Sequence, residues 1–279
     1  MRKIELAKTG EMIPVVGQGL WGVSRLKGFF KGKSYYENIK SAVKKGIQLG
    51  MKHIDTAELY GMGKAESVLG DIVQDYPRDE LFITSKLFPM HFSYKSMKKA
   101  ANKTLKRLGI DYLDLYLIHW PSSLISIEKE MNVLENLVKV GSTRYIGVSN
   151  FSIKQFEEAQ TFLKKEELVN NQVQINITKQ DFIHESLSYY QNKGITVTAY
   201  SPLSHRGYTS LKGDIIEELD NLAKNHNVTI QQIAIAWLIN HNNVITIPKA
   251  FNVDHVIDNA KTADISLSKE EIELLYQFK

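Results

Sequence analysis

Leu81-Phe-Ile-Thr-Ser-Lys86, the stretch Tyr94–Leu108 and Leu113-Asp-Leu-Tyr-Leu-Ile-His119 follow one another closely and decide the fold. The outer two are short apolar runs, and the middle one repeats its apolar residues at helical period. That alternation marks a βα unit leading into the next strand. It extends in both directions along the chain. Strands are expected at Val15–Gly19, Lys52–Asp55, Leu81–Lys86, Leu113–His119, Tyr145–Ser149, Gln172–Asn176, Thr196–Tyr200 and Val244–Ile247. Helices are expected at Ser34–Leu49, Lys64–Asp75, Tyr94–Leu108, Ile127–Val140, Ile153–Leu163, His184–Asn192, Gly213–Asn225 and Ile230–Asn240. Eight such units predict an α/β fold of the (β/α)8 TIM barrel type. Lys3–Leu6 and Glu11–Pro14 flank Lys8-Thr9-Gly10, which reads as an N-terminal β-hairpin placed to plug the barrel bottom. Ser152-x-x-Gln155, Thr229-x-x-Gln232 and Ser268-x-x-Glu271 match the capping box, in which side chains satisfy the free amides of a helix start. The last of these opens a C-terminal helix over Lys269–Gln277.

No Pro/Ser-rich linker or low-complexity tract interrupts the 279 residues, so one domain spanning 1–279 is expected. Cysteine is absent, which removes disulfides, thiolate metal ligands, iron–sulfur clusters and thiol catalysis together. The N-terminus lacks the apolar core of a signal peptide, and the longest apolar run, Ile233–Ile239, is far short of the ~20 residues that span a bilayer. A soluble, cytoplasmic protein with no membrane partner is expected. The net charge of +4 comes from lysines scattered among acids, which gives no stripe for nucleic acid.

In a barrel of this type the catalytic groups stand at the C-terminal ends of the strands. Those ends carry Asp55, Lys86, His119 and Ser149 with Asn150, and Tyr60 lies in the loop after Asp55. A phenol ordinarily titrates near ~10, too high for efficient proton transfer at neutral pH. A lysine ammonium beside it favours the phenolate and is expected to lower that value, while an aspartate keeps the lysine charged. Singly, each residue has a bland reading: Asp55 with Lys86 as a structural ion pair, Tyr60 as packing, His119 as a core histidine. Their convergence at one barrel mouth outweighs those readings. His53 and Asp55 share a strand face, but no further histidine joins them, so no metal site is expected.

His53-Ile-Asp55-Thr-Ala-Glu-Leu-Tyr60-Gly61, Thr84-Ser-Lys86 and Leu117-Ile-His119-Trp120-Pro121 resemble the signatures of the aldo-keto reductase family. So do Gly147-Val-Ser149-Asn150-Phe151, Asn171-Gln172-Val173, Ala199-Tyr200-Ser201-Pro202-Leu203 and Ile247-Pro248-Lys249, in order and at matched spacing. The resemblance implies reduction of aldehydes or ketones by NADPH, with NADH as an alternative. It makes Tyr60 the general acid, Asp55 and Lys86 its tuning pair, and His119 the residue that orients the substrate. It places Ser149, Asn150 and Gln172 on the nicotinamide carboxamide and Tyr200 on the face of that ring. Ser201 and Leu203 would follow the pyrophosphate, and Asn259 the adenine. The family reads the 2′-phosphate with a Lys-Ser pair and an arginine. Here Lys249 is followed by Ala250, His255 stands near the arginine position, and Arg206 is the last arginine of the chain.

Trp21, Trp120 and Phe88 are expected to wall an apolar pocket for the carbonyl or alcohol substrate. The chain ends soon after its last helix, which implies an open site without a long C-terminal loop. A monomer is expected, with a weak dimer as the alternative. Two rival functions share the fold: a barrel that binds nicotinamide cofactor without turnover, as in the β-subunits of potassium channels, and another barrel enzyme such as a lyase. Retention of all four catalytic side chains argues against the first, and the lack of a metal carboxylate set or a phosphate-binding loop argues against the second.

Overall fold

A computed structural model describes residues 1–204 and 213–277. Arg206 lies outside the described residues. The chain opens with a hairpin, β1 (Lys3–Glu5) and β2 (Met12–Pro14), paired antiparallel with Ile4 opposite Ile13. Eight strands then run parallel: β3 (Gln18–Gly19), β4 (His53–Asp55), β5 (Phe82–Leu87), β6 (Leu113–Ile118), β7 (Thr143–Ser149), β8 (Leu168–Gln174), β9 (Thr196–Tyr200) and β10 (Val244–Thr246). Each pairs with its neighbour in sequence. A bridge between Val16 and Thr246 joins the first to the last, with Gly17 N donating to Thr246 O at 2.8 Å. The sheet therefore closes into the expected barrel. Gly17 is required at this seam: a Cβ there would sit 2.7 Å from the carbonyl oxygen of His53.

The hairpin plugs the bottom. Leu6 and Ile13 are fully buried and pack with Phe82, Leu115, Leu117, Val169 and Ile245, which fill the lower barrel. Ala7 N donates to Thr196 Oγ1 at 2.8 Å, and Arg144 ties Glu11 of the hairpin to Asp114.

Helices cover the outside. They are α1 (Arg25–Lys31), α2 (Lys33–Gln48), α3 (Lys64–Val73), α4 (Tyr94–Leu108), α5 (Ile127–Lys139), α6 (Ile153–Thr161), α7 (Asp181–Glu185), α8 (Leu187–Lys193), α9 (Asp214–His226), α10 (Ile230–Ile239), α11 (Val253–Lys261) and α12 (Lys269–Leu274). In α4, Met97, Ala100, Ala101, Thr104 and Leu108 form one buried stripe, and its lysines face outward. Helix α10 is buried from Gln232 to Ile239, because the C-terminal segment covers its outer side: Trp237 Nε1 donates to Ile272 O at 3.3 Å. That explains its unbroken apolar run. Among the described residues no helix is long and apolar enough to cross a membrane. All three expected capping boxes form, at Ser152, Thr229 and Ser268.

Several expectations shift. The helix expected at His184–Asn192 is two, broken at Ser186, whose backbone leaves the helical region (φ −132°, ψ −27°). Strand β8 begins four residues earlier than expected and carries one extra residue, since Ile146 and Val148 face Leu168 and Asn171. Helices α1 and α11 fall in stretches that the periodicity leaves as loops.

Candidate active site

The parallel register sets Gly19 beside Asp55, Asp55 beside Thr84, and Lys86 beside Leu117. Side chains alternate along each strand, so Phe82, Thr84 and Lys86 rise in one column through the barrel, with Lys86 at the top. Lys86 is fully buried, and all three of its ammonium hydrogens have a partner. It donates to Asp55 Oδ1 at 2.5 Å, to the carbonyl of Thr56 at 3.0 Å and to Tyr60 Oη at 3.1 Å. The other carboxylate oxygen of Asp55 accepts from Gln172 Nε2 at 2.8 Å, across the barrel. Because Tyr60 Oη accepts from Lys86, its own hydrogen is left to point elsewhere, and the cavity is the open direction.

Burial works against the Lys86 ammonium, but Asp55 and Tyr60 more than offset it and hold Lys86 above the ordinary lysine value. Burial also raises the Tyr60 phenol, and the opposing pull of Lys86 does not cancel it. The expectation of a lowered phenol is thus corrected: desolvation of a phenolate exceeds the attraction of one ammonium that is itself neutralised by Asp55. A phenol kept protonated is what a proton donor requires. His119 follows β6, with its ring 5.7 Å from that of Tyr60, edge to face. Burial and then Lys86 lower it to about 3, so the imidazole is neutral. A neutral imidazole can donate or accept a hydrogen bond at the cavity and brings no positive charge to it.

A cavity of about 730 Å³ opens above these groups. Asp55, Tyr60, His119, Trp21 and Trp120 line it, together with Ser149, Asn150, Gln172, Tyr200, Ser201 and Lys249. Ser149 Oγ and Asn150 N both donate to the carbonyl of Gln172, at 2.8 and 2.9 Å, and Tyr200 Oη donates to Asn150 Oδ1 at 3.0 Å. Asn150 and Ser201 hold left-handed backbones (φ 61° and 52°) on this wall, a conformation that a serine adopts at a cost of order 1–2 kcal/mol.

Five other expected site residues do not line this cavity. Phe88 packs edge-on behind Trp120, with centroids 5.3 Å apart, and lines a neighbouring cavity of about 450 Å³. Its backbone is fixed by Glu58, whose Oε1 accepts from Phe88 N and lies 2.9 Å from His91 Nε2. Leu203 and Ala250 pack half-buried against the core beside Val15 and Val256. Asn259 is buried in α11, and His255 is exposed on the same helix. Conversely, Gly22, Val23, Ser24, Lys27 and Leu59 line the main cavity and were not expected there. Ser24 caps α1 by accepting from Lys27 N at 3.3 Å, a signal present in the sequence ahead of Arg25.

The family model described as "Aldo/keto reductase family" matches residues 15–279. The chain belongs to the aldo/keto reductase family. Among curated relatives, it is 33% identical to the methylglyoxal reductase YeaE of Escherichia coli over 266 residues, 94% of this chain and 90% of that protein. It is 34% identical to the glyoxal reductase of Bacillus subtilis over 268 residues, 95% of this chain and 88% of that one. Among solved structures, it superposes on a thermostable aldo-keto reductase bound to the inhibitor epalrestat with a TM-score of 0.92, at 40% identity over all of both chains. An aldo-keto reductase of Klebsiella pneumoniae in complex with NADPH gives a TM-score of 0.85 at 32% identity, over 95% of this chain and 91% of that one.

The cavity of this aldo-keto reductase fits a nicotinamide dinucleotide by its donor set. One wall offers amide and hydroxyl groups beside the aromatic ring of Tyr200, and the rim offers Lys249 over the ring of Trp21, 5.6 Å from its centroid. A flat, amide-bearing ring and an anionic tail match those two features.

Proposed function

We propose that this chain is a single-domain, NADPH-dependent reductase that converts small aldehydes and ketones to alcohols, with Tyr60 as the general acid. The observation that carries the reading is the chain of hydrogen bonds from Asp55 through Lys86 to Tyr60 at the floor of the cavity. When bound, NADPH supplies the hydride. Ser149, Asn150 and Gln172 would hold the carboxamide of the nicotinamide, and Tyr200 would pack against its ring. Tyr60 and neutral His119 hold the carbonyl oxygen. The phenol then releases its proton to that oxygen, and Lys86 stabilises the phenolate left behind. Asp55 keeps Lys86 charged and aimed. Trp21 and Trp120 exclude water from the reacting carbon.

Every group in this scheme comes from one chain, which supports a monomer as the working unit. The names of the methylglyoxal and glyoxal reductases favour short α-oxo-aldehydes as substrates, and the aromatic walls also suit larger apolar aldehydes. A steady-state panel of methylglyoxal, glyoxal, aromatic aldehydes and ketones, followed by loss of reduced-nicotinamide absorbance, tests this. Turnover of at least one carbonyl with NADPH is expected. Binding of NADPH without turnover of any would favour the non-catalytic binding barrel instead.

A further inference from the structure

Helix α1 brings a second cation to the cavity. Lys27 and Lys249 both line it, and among the described residues no ion pair includes either one. The Lys249 side chain lies along the backbone of Gly22: a Cβ there would stand 3.6 Å from its Cδ and 3.9 Å from its Nζ. The two ammonium groups feel each other, since burial and then Lys27 push Lys249 below its ordinary value. Two unpaired cations facing one cavity repel, and an anion between them relieves that repulsion.

The placement of Lys27 is built by the chain. Tyr35 Oη donates to Gly22 O at 3.1 Å and accepts from Ser24 N at 3.3 Å. Tyr36 Oη donates to Ser24 O at 3.3 Å, and its ring fills the space where Gly28 has no side chain, so close that a Cβ would be 2.1 Å from the hydroxyl. Two tyrosines of α2 thus pin the loop and the helix that carry Lys27.

We propose that Lys27 is a cofactor-binding residue, which with Lys249 clamps a phosphate of the dinucleotide at the rim of the cavity. This rests on the reading that a nicotinamide dinucleotide occupies the site. It supplies a counter-charge in a chain that has no arginine after Arg206. Lys27 comes from α1 and Lys249 from the segment after β10, so the phosphate is held by two elements and not by one.

Equilibrium titration of NADPH and NADH, followed by nicotinamide fluorescence, tests it with the full chain and the variants Lys27→Met and Lys27→Arg. Lys27→Met is expected to raise the NADPH dissociation constant roughly tenfold, with a shallower salt dependence, the worth of one charged hydrogen bond. Lys27→Arg should stay within about threefold of the original, and melting curves should be unchanged because the side chain is exposed. Loss confined to NADPH assigns the clamp to the 2′-phosphate; equal loss for both assigns it to the pyrophosphate. Unchanged dissociation constants in Lys27→Met overturn the inference, as does a rise in KM confined to carboxylate-bearing aldehydes. If the unsubstituted protein binds neither dinucleotide, the proposed function itself fails.

Discussion

The ammonium of Lys86 points at the phenol oxygen of Tyr60 from 3.1 Å, and its two other hydrogens are committed to Asp55 and Thr56. Nothing about this cation is free to turn. Removing either member of the buried pair strands the other charge, which costs on the order of 3–5 kcal/mol. Lys86→Met should therefore lower stability as well as activity. Adding Asp55→Asn to it should restore much of the stability without restoring turnover, as read from urea denaturation beside steady-state rates. Recovery of activity in the double variant would mean that the charge on Lys86 is not needed for chemistry.

The pH dependence of reduction should be flat. Tyr60 stays protonated because burial lifts its titration above the ordinary ~10. His119, lowered to about 3, stays neutral. Neither group changes state between about pH 5 and 9, so kcat/KM for reduction should vary little there and fall only at more alkaline pH. The reverse reaction needs the phenolate and should rise with pH over the same range. A midpoint near pH 6.5 in the reduction profile would show that His119 titrates, contrary to its burial.

Lys249→Met should raise KM for NADPH far more than for NADH, while kcat with saturating NADPH changes little. An ammonium at a phosphate is a point charge worth roughly tenfold or more in binding. Equal effects on the two cofactors would move Lys249 from the 2′-phosphate to the pyrophosphate.

Glu130 offers a stability test away from the site. It is 1% exposed on α5, both carboxylate oxygens lack a partner, and burial raises it to about 8. The folded chain thus keeps a proton that the unfolded chain releases near ~4.5. Between those values the folded state binds more protons, so stability falls as pH rises, by on the order of 5 kcal/mol in all. Glu130→Gln should remove that slope and make the protein more stable than the original at pH 9, by chemical denaturation. A slope that persists in the variant would place its origin elsewhere.

Much of the barrel was legible in the sequence because each strand is short, apolar and followed by an amphipathic stretch, as Phe82–Leu87 and α4 are. The boundaries that moved have local causes. The extra residue in β8 displaces its start, and nothing in Leu168–Gln174 announces it. Helix α1 has only seven residues with Gly28 in its middle, too short a window for the helical period of Leu26, Phe29 and Phe30 to stand out. Helix α11 begins at Asn252, whose side chain accepts from Asp254 N, a cap that does not follow the Ser/Thr box pattern. The polar groups at strand ends were readable because barrel topology brings those ends together. The residues from Gly22 to Lys27 were not, since they reach the cavity through tyrosines of α2, a tertiary contact that no local pattern encodes.

The most direct measurement is the single-turnover rate of Tyr60→Phe with bound NADPH, because phenylalanine keeps the ring and removes only the proton donor. A fall of roughly 10²–10⁴-fold is expected, with the NADPH dissociation constant within about twofold of the original, since the ring and the cofactor wall are intact. A rate within tenfold of the original, at unchanged cofactor affinity, would show that the proton comes from another group and contradict the account.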